Sequence, residues 1–226
     1  SYNHELVDIN HMRTEKTTLN FAKMQATGDD YIYIEDPDGS ITCPESLCVS
    51  LCRRHRGVGG YGIVFIGKSD IADASMRLYN RDGSEGGMGG NAIRCVAKYL
   101  YDRKIVQKKD MTLEAGGCVR RLHLYTSGGE VSTVSVDMGE VMFAPSVVPV
   151  TLDGESVVDR EAEIGGEKVR ITCLSVGNPH CVVFVDSVEH VDIENVGPMF
   201  ENAPFFPERV NTEFVHAVNR RTLRMR

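Results

Sequence analysis

The 226-residue chain is 42% hydrophobic with a formal charge of −7, so it can bury a core as one large or two smaller domains but offers no basic surface for nucleic acid or an anionic membrane. No run approaches the roughly eighteen apolar residues of a membrane span, and the N-terminal residues lack a basic region followed by an apolar one. Seven cysteines at irregular spacing fit reduced thiols rather than a disulfide framework, which together predicts a cytoplasmic protein with neither nucleic acid nor membrane as partner.

Residues 1–17 are polar, without clear periodicity, and are expected to be an extension without function. Leu19 to Met24 predicts a first strand, Gln25 to Asp30 a polar turn, and Tyr31 to Ile34 a second strand. Asp29 and Asp30 then fall between two strands. Pro44 to Arg54 predicts a helix carrying Cys48 and Cys52, with Cys43 just before it; the apolar neighbours favour buried thiols over a metal site. A glycine-rich loop, His55 to Gly62, precedes the apolar strand Ile63 to Ile66, and Met76 to Asn80 follows as another.

The most informative stretch runs from Asn80 to Asp102. Glycines 83, 86, 87, 89 and 90 lead into Ile93, Val96, Ala97 and Leu100, spaced i, i+3, i+4 and i+7, which predicts a helix of about three turns. The first N–H groups of a helix have no partner inside it, and glycine lets a ligand approach the backbone, so Gly90 and Asn91 form a candidate carboxylate site flanked by Asn80. A glycine loop that merely turns the chain is the competing reading. The spacing matches neither the dinucleotide fingerprint nor the Walker phosphate loop.

Strands are expected over Thr112 to Ala115, Val119 to Tyr125 and Val131 to Met138. A second unit begins near Val131, giving domains 18–130 and 131–226. Ile171 to Val176 and Cys181 to Val185 read as strands around the turn Gly177-Asn178-Pro179-His180. Taken alone, His180 is more often a structural histidine than a catalytic one. A short helix is expected over Ile193 to Phe200 and a strand over Arg209 to Val215. Thr222 to Arg226 alternates like a strand with no closing element after it, which predicts that the sequence is cut short there.

These pieces together resemble the diaminopimelate epimerases over roughly residues 18 to 226. The matching stretches are Lys23-Met24 through Gly28 and Asp30, Arg56 to Gly59, Asn80 with Asp82 to Met88, Gly90 to Cys95, Gly177 to His180, and Arg209 to Phe214. The resemblance implies an α/β (α+β) fold of two pseudo-symmetric domains, each of mixed strands wrapped around a central helix, with the substrate between them. It implies interconversion of LL- and meso-diaminopimelate without pyridoxal phosphate or another cofactor, and without a metal, for lysine and peptidoglycan synthesis. One cysteine thiolate removes the α-proton and an opposite thiol returns one. By motif, Asn80, Asn178 and Asn211 would hold the amino-acid substrate, Gly90 and Asn91 its carboxylate, and His180 would tune the thiol chemistry. A homodimer is left open.

Two departures stand out. The family motif has cysteine where this chain has Gly89, between Met88 and Gly90, and the glycine- and threonine-rich motif carrying the second cysteine occurs nowhere in the sequence. Cys95 is no substitute, because the helix rise carries it away from the N-terminal mouth. Asp29 stands where the family has asparagine, and its charge would repel a carboxylate; Gly62 offers no side chain to a ligand. Losing one member of a catalytic unit can cost roughly 10⁶-fold, so the chain is expected to have the family's fold and almost no turnover. The alternatives are a non-catalytic paralogue that binds a small amino acid or a protein partner, and a related pyridoxal-phosphate-independent racemase or isomerase.

Overall fold

The structure is a computed structural model that describes residues 18–226, so the extension expected over 1–17 lies outside the described residues. The chain divides into two compact units. One holds residues 18–108 with 112–119 and 128–130, and the other holds 109–111, 120–127 and 131–226.

The first unit is built on β1 (Ala22–Ala26), β2 (Asp29–Glu35), α1 (Pro44–Leu51), β3 (Gly62–Gly67), β4 (Ala74–Asn80), β5 (Glu85–Gly86), α2 (Gly90–Asp102) and most of β6 (Asp110–Ala115). Its strands run in the order β1-β2-β3-β4-β6, with β5 paired to β4; β2–β3 and β4–β6 are parallel and the other pairs antiparallel. The six-residue polar turn expected over Gln25 to Asp30 is in fact a two-residue loop. Thr27 and Gly28 both have positive φ, 52° and 97°, which matches the twist of the flanking strands and lets them pair as far as Ala26 and Asp29. Asp29 and Asp30 therefore stand on β2.

Helix α2 begins and ends as its spacing predicts. Ala92, Ile93, Cys95, Val96, Ala97, Tyr99 and Leu100 are all buried, and the helix packs against β1, β2 and β4. Helix α1 is shorter than expected, ending three residues before Arg54. Cys48 within it and Cys52, the residue capping its end, are buried in the apolar cluster with Ile32, Ile63 and Phe65, but Cys43, expected to be buried with them, caps the start of the helix and is exposed.

The second unit comprises most of β7 (Cys118–Ser127), β8 (Glu130–Val136), β9 (Arg160–Ile164), β10 (Glu167–Ser175), β11 (Pro179–Phe184), α3 (Ile193–Glu201), β12 (Asn211–Asn219) and β13 (Thr222–Met225). Five strands form one sheet in the order β13-β12-β11-β10-β9, with β11–β12 parallel and the other pairs antiparallel. The alternation along these strands separates two faces. Ile171, Cys173, Cys181, Val183 and Phe214 turn inward to a core completed by Phe200 of α3, whose ring meets Phe214 edge-on at 5.3 Å. On the other face Phe184, Leu223 and Met225 are 63%, 62% and 66% exposed. The expected turn over Gly177 to His180 is shorter in the structure, since Pro179 and His180 already belong to β11 and pair with Ser175 and Leu174.

Candidate active site

In the first unit Asp29, Gly89, Gly90 and Asn91 gather where α2 begins. Gly89 is the capping residue, with φ −81° and ψ 111°, a conformation open to any L-residue. A side chain there would point at Leu78 and Ala92: an added Cβ would lie 3.0 Å from Leu78 Cδ2 and 3.2 Å from Ala92 Cβ. Gly90 and Asn91 start the helix, so their N–H groups lie at its positive end.

Asn91 is not idle. Its Nδ2 donates to Asp29 Oδ2 at 2.7 Å, and its Oδ1 accepts from Arg94 Nη2, while Arg94 Nε also reaches Gly90 O at 3.1 Å. The amide thus links the Asp29 carboxylate to a guanidinium one helical turn on. This changes the meaning of Asp29: its charge is held at the helix mouth by Asn91 and backed by Arg94, a residue of the matched stretch Gly90 to Cys95 with no role assigned from sequence. Beside it, Asp30 lies 2.9 Å from Lys23 Nζ and 3.4 Å from Arg54 Nη2, and the Lys23 hydrogen bond holds its carboxyl below the ordinary range.

Asn80 ends β4, and its side chain donates to Ser84 Oγ at 3.1 Å. Ser84 Oγ in turn donates to Asp82 Oδ1 at 2.6 Å, so the amide is tied into the turn that leads to the glycine loop. The buried thiol of Cys48 secures the same strand end by donating to Asn80 O at 3.0 Å and Tyr79 O at 3.3 Å. Gly62 lies directly opposite, and an added Cβ would come within 2.1 Å of Tyr79 O, so no side chain fits there. Cys95 is buried inside α2's packed face and burial pushes its thiol up, the reverse of what a base requires. A cavity of about 1190 Å³ with Glu35, Cys43, Tyr99 and Arg103 in its lining includes none of the candidate catalytic or substrate-binding residues.

In the second unit Asn178, His180 and Asn211 come together. His180 on β11 is in register with Asn211 on the parallel strand β12, and Asn211 Nδ2 donates to Pro179 O at 3.0 Å. The imidazole is held on both sides, with Nδ1 2.6 Å from Glu213 Oε1 and Nε2 3.0 Å from Asn178 Oδ1. Glu213 lies in the matched stretch Arg209 to Phe214, with no role assigned from sequence. The signal was present, because residues two apart on a strand share a face and Glu213 follows Asn211 by two.

The model of the diaminopimelate epimerase family matches residues 21–144 and 172–226. A diaminopimelate epimerase of Agathobacter rectalis is 43% identical over 92% of this chain and 75% of its own length, and one of Acetivibrio thermocellus is 40% identical over 92% and 74%. The chain therefore spans about three quarters of these relatives. Among solved structures, a probable proline racemase from Agrobacterium radiobacter superimposes with a TM-score of 0.59 at 15% identity, covering 92% of this chain and 69% of that one. A Bacillus anthracis phenazine biosynthesis protein of the PhzF family gives 0.55 at 15%, covering 92% and 70%. At that identity the two structures speak for the fold alone.

Proposed function

The chain belongs to the diaminopimelate epimerase family, and from that premise we propose that it binds diaminopimelate at the start of α2 while lacking the thiol that would deprotonate it there. The chemistry of the family is isomerisation at an amino-acid α-carbon. An α-proton is very weakly acidic, so its removal needs the neighbouring carboxylate held by preorganised donors and a base with an accessible lone pair at the α-carbon. The N–H groups of Gly90 and Asn91 are the donors, and Asn80 is a neutral amide nearby suited to a zwitterion. The base position is Gly89, which has no side chain. Asn178, His180 and Asn211 are the corresponding polar group of the second unit.

The observation that carries this reading is the geometry at Gly89: the capping position of a buried helix, with an L-compatible backbone and Leu78 and Ala92 nearest to the missing side chain. The same glycine favours a second reading, a paralogue that binds an amino acid without turning it over. Titration with diaminopimelate tests binding: amide shifts should centre on residues 89 to 92, with smaller changes at Asn80, and none at millimolar ligand would overturn the proposal. Proton NMR in deuterated buffer tests the chemistry. The chain should not exchange the α-hydrogen of LL-diaminopimelate above an enzyme-free control, and Gly89→Cys should not by itself give full epimerisation. A cysteine motif downstream in the full reading frame favours an epimerase altered at Gly89, and its absence favours the paralogue.

A further inference from the structure

Among the described residues Glu213 is the acid in contact with the imidazole of His180, and its position has a chemical consequence for that ring. Oε1 lies 2.6 Å from His180 Nδ1, while Oε2 is buried with no hydrogen-bond partner among the described residues. Both side chains are about four-fifths buried, at 20% and 21% exposure, so solvent competes weakly for the contact. A carboxylate on Nδ1 requires an N–H there, which fixes which nitrogen carries the proton. Nε2 then faces Asn178 Oδ1 at 3.0 Å. A neutral ring protonated at Nδ1 satisfies Glu213 alone, whereas a doubly protonated ring satisfies both oxygens.

The backbone holds this arrangement. His180 and Asn211 are partners across the parallel pair β11–β12, and Glu213 is aligned with Val182, so Asn211, Glu213 and His180 occupy one face of the sheet. Thr212, between them, turns to the other face with Phe214 and the apolar core. An acid at 212 or 214 would be buried away from the ring.

We infer that Glu213 is a positioning residue: it keeps the proton on His180 Nδ1 and aims Nε2 at Asn178, so that the ring can hold or release a proton at Nε2 beside the amide. The inference rests on the proposed role of the Asn178, His180 and Asn211 group, yet its test does not need turnover. Nitrogen-15 NMR of the imidazoles, with the His180 signals assigned by their loss in His180→Gln, reads the proton's location directly. In the unaltered protein His180 should show a protonated, slowly exchanging Nδ1. In Glu213→Ala this signature should be lost, with Nδ1 and Nε2 averaging between tautomers, while backbone amide shifts of the core around Phe200 and Phe214 stay in place. Glu213→Gln, which keeps an oxygen acceptor, should restore the Nδ1–H. An unchanged His180 signature in Glu213→Ala would overturn the inference, as would equal loss in Glu213→Gln. Failure of diaminopimelate to shift any amide would count against the proposed function and leave the imidazole result standing.

Discussion

Two glycines of the first unit look alike in sequence and differ in what they tolerate. At Gly89 the backbone is already L-compatible and the nearest atom is the end of a flexible leucine, so Gly89→Cys should change stability by less than about 1 kcal/mol in urea unfolding. Its new thiol, at the positive end of α2, should react with a disulfide reagent faster than any native cysteine. At Gly62 a Cβ meets a backbone carbonyl at 2.1 Å, so Gly62→Ala should cost about 3 kcal/mol or more, or prevent folding. Among native thiols, exposed Cys43 and Cys118 should be labelled in the folded state, and Cys48, Cys52, Cys95, Cys173 and Cys181 only after denaturation. Burial pushes Cys52 up to about 12, so raising the pH to 9 should not expose it to the reagent. At this scale the sequence named Asp29, Asn91 and His180. It did not identify their partners: nothing local ties Asp29 to Asn91 or His180 to Glu213, because those contacts depend on the strand register and on the helix's place over the sheet.

Among elements, α2 was legible from end to end, since its apolar spacing and the glycines before it are local signals. The β1–β2 turn was misjudged for an equally physical reason: Thr27 at positive φ has no clear sequence signature, and polar Asp29 and Asp30 resemble turn residues until the hairpin tightens to two. Asp73 illustrates how elements are fastened. It accepts from Lys108 Nζ at 2.5 Å and from Thr112 N and Oγ1 at 3.0 and 3.1 Å, joining the residues before β4 to β6. The Lys108 hydrogen bond is the main cause holding its carboxyl below the ordinary range. A depressed folded-state value means that the contribution is complete above the unfolded pKa of about 3.9 and fades as pH falls through the folded value. Asp73→Asn should therefore lower stability at neutral pH by about 1 kcal/mol and lose less on acidification below pH 4, as read by urea midpoints across pH.

At the scale of the whole molecule, each unit has its own apolar cluster, but they are covered unequally. Around α2 the sheet and helix bury one another, and Ile32, Ile63 and Ile93 are fully inaccessible. The second unit buries one face of its sheet under α3 and leaves Phe184, Leu223 and Met225 open on the other, with β13 exposed along its length. Less apolar burial means less stabilisation, so hydrogen exchange should be faster through residues 171 to 226 than through residues 90 to 102. Equal protection would refute that ordering. The sequence conveyed that there are two series of strands. It did not convey that Lys109–Met111 and Arg120–Ser127 group with the second series, since that depends on pairing between distant strands.

The conformation of Gly89 bears on the history of the chain. Two of the four glycine codons differ from a cysteine codon by one base. A glycine locked at positive φ would make a cysteine there a structural loss, but here the backbone is one that any L-residue adopts, and Leu78 and Ala92 need only give by a few tenths of an ångström. A single base change to cysteine at 89 is thus a small structural step. A library of single-base changes, screened for a reactive thiol rather than for turnover, should recover cysteine at 89 among soluble clones and find nothing bulky at 62.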